Sequence, residues 1–238
     1  MATFVLVHGA MHGGWAWGPV RRLLTARGHD VHSPTLTGQG DRAHLLTRET
    51  GVATHVADLV ALLDFEDVRA AVLVLHSYAG VLAGPVVEAR PDRVRAVVLA
   101  GGFHARPGMS LLDAEPPEVA ARYRDLVERT GEGWYLPATD AFLAQWAVTD
   151  PALQAFVGPR LTDFPARALW DPVRYDPAPL AALPRAYVEH VEPPLASLAP
   201  SIAMAREDGF GHRTIATGHD MMLADPPLTA ALLEELAG

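Results

Sequence analysis

Short segments that are apolar along their whole length, separated by segments of helical pattern, constrain this chain most. "TFVLV" (3–7), "RAAVLVLHS" (69–77) and "VRAVVLAGGF" (94–103) are such segments. Between them, "WAWGPVRRLLTARG" (15–28) and "THVADLVALLDF" (54–65) carry apolar residues at helical spacing. Strands that are apolar on both sides and alternate with helices are typical of a mostly parallel sheet covered by helices on both faces. The sequence therefore predicts an α/β fold.

A change of pattern divides the chain into a core and an insertion. Residues 104–183 are rich in proline and in scattered aromatic residues within short helix-like pieces, which predicts an insertion. The core then comprises residues 1–103 and 184–238. Three more strands and three more helices are expected in it: strands "DVHSPTL", "RAYVEHV" and "HRTIAT", and helices from Tyr78 to about Ala89 (bent at Pro85), in "LASLAPSIAMAREDG" and in "PLTAALLEELAG".

Composition excludes several classes of function. The 238 residues are half apolar, enough for a sizeable core in one α/β domain or two small ones. The net charge is −9 and every one of the 19 basic residues is arginine, so an acidic surface argues against nucleic-acid binding. Without cysteine, no disulfide or thiolate metal site forms. We see no signal segment and no membrane span, and expect a soluble, cytoplasmic protein.

Three parts of a serine acyl-transfer site follow strands of the predicted sheet. Ser77 ends one strand, His219 follows the last strand in "ATGHDMML", and the glycine-rich "HGAMHGG" (8–14) follows the first. A nucleophilic hydroxyl, a base and N–H donors from Ala10 and Tyr78 would meet at the carboxyl edge of the sheet. The alternatives are a serine that only caps a helix, a structural loop histidine and a nucleotide phosphate loop, whose motifs are absent.

The turn at Ser77 departs from the G-x-S-x-G pattern of a nucleophile elbow, because Leu75 and Ala79 stand where glycines are usual. The added methyl of Ala79 is tolerable. Leu75 predicts either that a neighbouring segment has moved away or that the turn is relaxed, and either change would lower the efficiency of the reaction.

Four segments together carry a family resemblance: "FVLVHGAMHGGWAW", "PTLTGQGDRAHL", "LHSYAGV" and "GHDMML". They resemble the α/β-hydrolase superfamily, specifically the branch of plant-type methylesterases and hydroxynitrile lyases with their bacterial relatives. The resemblance implies an α/β-hydrolase fold in which the insertion, residues 104–183, forms a helical lid over an apolar pocket. We expect no cofactor and no metal. It implies Ser77 as nucleophile, His219 as base, and the N–H groups of Ala10 and Tyr78 as oxyanion hole. We expect substrate contacts from four residues: Gly9, Met11, Trp134 and Trp146.

The third member of the triad is the weak point of this resemblance. The place of the usual aspartate falls on Pro193, so Glu192, one residue earlier, is our expected acid, and Glu189 is a weaker candidate. If neither serves, the site is a Ser-His dyad. Asp220 occupies the place of the lysine that hydroxynitrile lyases use, which disfavours cyanohydrin cleavage.

Three functions stay open on this basis. The first is a carboxylesterase-type serine hydrolase that cleaves a small or medium apolar ester, methyl ester or lactone through an acyl-enzyme. The second is a lyase or cyclase that uses the same pocket on an aromatic or polyketide-like metabolite. The third is a ligand-binding protein without catalysis. For each of these functions we expect a small apolar or aromatic molecule as partner, and each is compatible with a homodimer.

Overall fold

The apolar segments form the strands of one sheet at the centre of the molecule. The computed structural model describes residues 1–238. Six parallel strands lie in the order β2-β1-β3-β4-β7-β8, and β5 and β6 form a separate antiparallel pair. Their bounds are β1 Thr3–Val7, β2 Asp30–His32, β3 Ala71–His76, β4 Val94–Ala100, β5 Tyr135–Leu136, β6 Phe164–Pro165, β7 Arg185–His190 and β8 Gly211–Ile215.

Eleven helices accompany these strands, and none of them is both long and apolar enough to span a membrane. One group packs α1 against α10 and α11, and another packs α3 against α2 and α8. The bounds are α1 Gly18–Ala26, α2 Val52–Phe65, α3 Ala83–Ala89, α4 Pro117–Thr130, α5 Ala141–Gln145, α6 Pro151–Val157, α7 Arg167–Trp170, α8 Pro177–Ala181, α9 Ala199–Glu207, α10 Met221–Ala224 and α11 Pro226–Ala237. The α/β fold predicted from the sequence is confirmed.

Strand β3 lies between β1 and β4 and is buried at every position. Its Leu75 pairs with Val7 on one side and with Leu99 on the other. The loops that follow these three strands therefore leave the sheet side by side. Ser77 and the glycine-rich segment 8–14 are brought together by this register, as expected at the carboxyl edge of a parallel sheet.

The helix expected from Tyr78 to about Ala89 is two elements instead of one. A 3-10 helix covers Ser77–Leu82, and α3 begins at Ala83. Pro85 lies in the first turn of α3, where its missing N–H removes no helical hydrogen bond. The expected bend is therefore a change of helix type before the proline.

The insertion separates two strands that are neighbours in the sheet, since β4 pairs directly with β7. It contributes α4 to α8 and the short β5-β6 pair, which the sequence pattern did not predict. Phe142, Trp146 and Phe164 are buried here, whereas Trp134 is half-buried. The scattered aromatic residues thus serve mainly to pack short elements that have little core of their own.

Candidate active site

Ser77 adopts a left-handed backbone conformation, with φ of 52°. Residues other than glycine rarely take this conformation, and it concentrates at functional sites. The Ser77 carbonyl accepts a hydrogen bond from the N–H of Phe103, at 2.9 Å, which holds the turn in place. The turn is therefore strained and tight although Leu75 is fully buried, so the relaxed turn considered from the sequence is not found.

A glycine still provides the close approach that the elbow needs, but three residues after the serine. A Cβ on Gly80 would lie 2.3 Å from the carbonyl oxygen of Phe103, in the loop after β4. On the other side, a Cβ on Gly9 would lie 2.7 Å from the Cβ of Ser77. The missing glycines of the motif are compensated by Gly80 and by a glycine on the neighbouring loop.

His219 reaches across the sheet edge to the serine. The Ser77 hydroxyl lies 3.0 Å from His219 Nε2, and both residues are buried. Burial lowers the pKa of His219 well below its usual value, and the neighbouring His76 and His190 lower it further. The imidazole is therefore neutral near pH 7 and can accept the serine proton, as a general base must.

The two expected oxyanion donors lie at the same place. Ala10 and Tyr78 line the cavity that Ser77 and His219 open into. Tyr78 is the second residue of its 3-10 helix, where backbone N–H groups have no partner within the helix. Next to Ala10, the Met11 N–H donates to Gln39 Oε1 at 2.8 Å, which fixes the loop. The assignment of these two N–H groups as an oxyanion hole stays a prediction.

Glu192 does not lie where a triad acid must. Its side chain is exposed and makes no hydrogen bond to His219, whose Nδ1 has no hydrogen-bond partner. The Glu192 N–H donates to the Thr217 carbonyl at 3.0 Å, which extends the pairing of β7 and β8 and leaves the carboxylate in solvent. Glu189 is also engaged elsewhere, 2.7 Å from His212 Nε2.

A carboxylate that we did not expect in the site lies beside the base. Asp220 is buried, with Oδ2 3.3 Å from His12 Nε2 and Oδ1 3.9 Å from His76 Nε2. The His76 ring lies 4.7 Å from the His219 ring, and His190 lies 5.0 Å from it on another side. The sequence signal for this cluster was the position of Asp220, directly after the base.

The charges in this cluster are coupled. Burial alone would raise the pKa of Asp220, but His12, His76 and His219 outweigh it and hold that pKa below the usual range. Burial likewise opposes a charge on His12, yet the Asp220 carboxylate raises the pKa of His12 above its ordinary value. Asp220 is therefore ionised and lies beside His219.

The cavity over Ser77 is narrow and has mostly apolar walls. Of the residues predicted to contact substrate, Met11 and Trp146 line the cavity, and Gly9 lies against Ser77. Trp134, in contrast, does not line this cavity: the centre of its ring lies 5.3 Å from the Arg48 guanidinium. The lid also contributes polar residues that the sequence reasoning missed: Glu115, Tyr123 and Gln145.

Several relatives of this chain are named as esterases or hydrolases. A carbendazim hydrolyzing esterase from Nocardioides sp. (strain SG-4G) is 39% identical over 127 residues, which is 52% of each chain. A pyrethroid hydrolase from Sphingobium wenxiniae is 30% identical over 58% of this chain and 50% of its own length. Salicylic acid-binding protein 2 from Nicotiana tabacum is 33% identical over 42% and 39%. The aligned part thus spans about half the length of the first two relatives and 39% of the third.

Solved structures match along nearly the whole chain. An extracellular alpha/beta-hydrolase from a Paenibacillus species superposes with a TM-score of 0.88 at 19% identity, over 99% of both chains. Tomato methylketone synthase I superposes with a TM-score of 0.82 at 18% identity, over 99% and 97%. These likenesses show the fold, and the match to plant methylesterases confirms the resemblance seen in the sequence. Residues 4–232 match the family as a whole, so this chain is a member of the alpha/beta hydrolase family.

Proposed function

We propose that the protein is a carboxylesterase-type serine hydrolase that works through an acyl-enzyme. The contact between Ser77 Oγ and His219 Nε2, 3.0 Å long and made by a serine in a strained turn, carries this proposal. The esterase relatives support it independently, because they resemble the chain in sequence and are named for ester substrates. A serine that only caps a helix needs no buried histidine at hydrogen-bond distance from its hydroxyl, so the contact with His219 argues against that role for Ser77.

The geometry supports a two-step reaction. Ser77 Oγ attacks the ester carbonyl while its proton passes to His219 Nε2, and the negative oxygen of the tetrahedral intermediate accepts hydrogen bonds from the Ala10 and Tyr78 N–H groups. Collapse breaks the ester C–O bond, and His219 returns the proton to the departing alcohol. Water then attacks the acyl-enzyme with His219 again as base, which releases the acid and restores Ser77.

We propose Asp220 as the carboxylate that stabilises the His219 imidazolium, in place of Glu192. A triad acid usually binds the second ring nitrogen of the histidine and fixes its tautomer. Here His219 Nδ1 has no such bond, so Asp220 acts through its charge across the cluster of buried rings. In the low-dielectric interior a charge acts over such distances more strongly than in water.

The cavity suggests the class of substrate. Its walls are mostly apolar and include the aromatic side chains of Phe103, Phe142 and Trp146, which suits a small or medium apolar or aromatic ester. The names of the relatives add carbendazim, pyrethroids and methyl jasmonate as compounds to try. A panel of methyl and p-nitrophenyl esters together with these three compounds covers the proposed range.

The test compares Ser77→Ala with the wild type on this panel. We expect the variant to lose turnover by about 10⁴-fold or more, since no other group supplies the nucleophile. Ser33→Ala, outside the cavity, serves as the matched control and should match the wild type. A Ser77→Ala protein that keeps its turnover while His219→Ala loses it would overturn the proposal in favour of a lyase or cyclase, and binding without turnover would favour a silent ligand-binding protein.

The acid limb of the pH profile provides a second test. Because burial lowers the pKa of His219 well below its usual value, the base remains neutral as the pH falls through the ordinary range of histidine. We expect kcat/KM to stay nearly constant from pH 8 to below about 6. A midpoint near the ordinary histidine value in that profile would contradict the assignment of this buried ring as the base.

A further inference from the structure

The side chain of Tyr78 makes a buried hydrogen bond that has no part in the mechanism above. Tyr78 is fully buried, and its hydroxyl lies 2.7 Å from Nδ1 of His55, a residue of α2 that is also fully buried. The other ring nitrogen of His55, Nε2, lies 2.9 Å from the carbonyl oxygen of Thr37. The residue that follows the nucleophile is thus tied, through one histidine, to the loop after β2.

The partners of His55 fix the direction of both bonds. A carbonyl oxygen only accepts, so Nε2 of His55 carries a proton and donates it to the Thr37 carbonyl. Burial lowers the pKa of His55 to about 4, so the ring is neutral near pH 7 and its Nδ1 is an acceptor. The Tyr78 hydroxyl therefore donates to Nδ1. Every polar atom of these two buried side chains has its hydrogen bond.

The far end of this chain of bonds is held by α2 as well. Thr37 donates from its backbone N–H to Asp58 Oδ2 at 2.7 Å and from its hydroxyl to Asp58 Oδ1 at 2.8 Å. Asp58 lies three residues after His55 on α2, on the same side of the helix. The Arg42 guanidinium lies 3.2 Å from the same carboxylate. The acceptor of His55 is therefore fixed in place, and a fully satisfied buried network of this kind is rigid.

Tyr78 also carries one of the two N–H groups expected in the oxyanion hole, and its side chain restrains that part of the backbone. The Tyr78 ring packs edge-on against Phe164 of the lid, with ring centres 4.8 Å apart, and against His55 at 5.5 Å. The bond at its hydroxyl anchors the other end of this rigid ring. Misplacement of a catalytic group by about 1 Å can cost about 100-fold in rate, so the anchor has a consequence for the reaction.

We propose that His55 is a positioning residue for the reaction: by accepting the hydrogen bond of the Tyr78 hydroxyl, it holds the Tyr78 N–H toward the oxygen of the tetrahedral intermediate. His55 does not line the cavity over Ser77, so it acts through Tyr78 alone. This inference rests on the proposed hydrolase function. An oxyanion donor acts mainly in the transition state, so its misalignment lowers kcat and leaves KM nearly unchanged.

The experiment removes only the hydroxyl, in Tyr78→Phe, and uses Tyr175→Phe as the matched control. The Tyr175 hydroxyl donates to the Ala105 carbonyl at 2.9 Å and Tyr175 does not line the cavity, so the control also loses one tyrosine hydrogen bond. We expect Tyr78→Phe to lower kcat for methyl esters by about 10- to 100-fold at nearly unchanged KM. Tyr175→Phe should keep the kcat of the wild type. Thermal unfolding shows that both variants are folded.

Two further measurements separate positioning from a general loss of packing. His55→Leu removes the acceptor of the same bond, so the Tyr78→Phe, His55→Leu double variant should lose no more kcat than the more impaired single variant. A trifluoromethyl ketone that resembles the ester forms a tetrahedral adduct with Ser77, whose negative oxygen occupies the oxyanion hole. Its Ki should rise in Tyr78→Phe by about the factor by which kcat/KM falls.

Three results would overturn the role of His55 while the hydrolase function stands. They are a wild-type kcat in Tyr78→Phe, an equal loss of kcat in Tyr78→Phe and Tyr175→Phe, and losses in the two single variants that multiply in the double variant. If His55→Leu does not fold, the comparison of the two tyrosine variants still decides. A wild-type protein that turns over no ester would overturn the hydrolase function, and this role with it.

Discussion

The sheet edge and the lid contribute in different ways to the same cavity. At the sheet edge, Ser77, Ala10 and Tyr78 are held by strand register, a positive φ and glycine contacts between neighbouring loops. The lid contributes side chains from short helices, among them Glu115, whose hydrogen bonding is incomplete. In the proposed hydrolase, backbone geometry at the sheet edge sets up the reaction, and side chains of the lid select the ester.

The largest effect is expected from adding one methyl group at the sheet edge, in Gly80→Ala. The new Cβ would lie 2.3 Å from the Phe103 carbonyl, so the backbone must shift and carry Ser77 with it. We expect a loss of about 4 kcal/mol of stability and at least ~100-fold in kcat/KM. Urea unfolding and ester turnover measure these, with Gly18→Ala as control because its Cβ would meet only a guanidinium nitrogen at 3.5 Å. If Gly80→Ala has the stability and kcat/KM of the wild type, residue 80 does not lie as close to the Phe103 carbonyl as described.

In the lid, the pH dependence of stability tests the burial of Glu115, which is only 7% exposed. Its pKa is raised to about 8 from 4.5, so the folded protein holds a proton that the unfolded chain releases between these values. Stability should therefore fall as pH rises from about 4.5 to 8, by on the order of 5 kcal/mol relative to Glu115→Gln. Thermal unfolding of both proteins across this range measures the difference. Parallel curves would mean that the carboxyl is solvated.

A smaller effect is expected at the base of the sheet-edge site, in Asp220→Asn. Losing a directly bonded triad aspartate costs ~10⁴-fold in kcat, and a charge that acts without a hydrogen bond to the ring should cost less, about 10- to 100-fold. Glu192→Gln is the matched variant, and because that carboxylate is exposed we expect a change below about twofold. Steady-state kinetics of the Asp220→Asn and Glu192→Gln variants shows which carboxylate supports His219. A large loss in Glu192→Gln with normal Asp220→Asn would reverse the assignment.

The smallest effect belongs to Trp134→Leu, in the part of the lid that faces away from the cavity. The Trp134 ring contacts Arg48 and Tyr135 and does not line the cavity. KM for any ester of the panel should change by less than about twofold. Trp146→Leu, which removes a wall of the cavity, should raise KM several-fold for aromatic esters. Equal effects of the two variants would show that the lid contacts are wrongly assigned.

The same contrast explains how much the sequence could predict. Local sequence patterns predict the strands, because a buried parallel sheet needs apolar runs. They also predict the positions of Ser77 and His219, because a parallel sheet brings the loops after its strands to one edge. The glycine at Gly80 escaped notice since the motif places it one residue earlier. Even so, Gly80 lets the backbone of the turn approach the Phe103 carbonyl, and the sequence of the turn encodes this glycine.

The lid and the charges around His219 depend on tertiary contacts that local patterns do not encode. Glu115 lies in "EPPEV", which suggests an exposed loop, and only the packing of the lid over the sheet buries it. Glu192 and Asp220 are comparable in sequence, since both lie near a site loop. The Glu192 N–H extends the pairing of β7 and β8, and the Glu192 side chain stays in solvent. Asp220 follows β8 and is buried.

An activated Ser77 nucleophile should react with a fluorophosphonate. The wild-type protein should take up one phosphonyl group, located on Ser77 by mass spectrometry of the digested protein, and His219→Ala should react much more slowly. Ser77→Ala should take up none. A folded wild-type protein that stays unlabelled, or one labelled at another residue, would contradict the account.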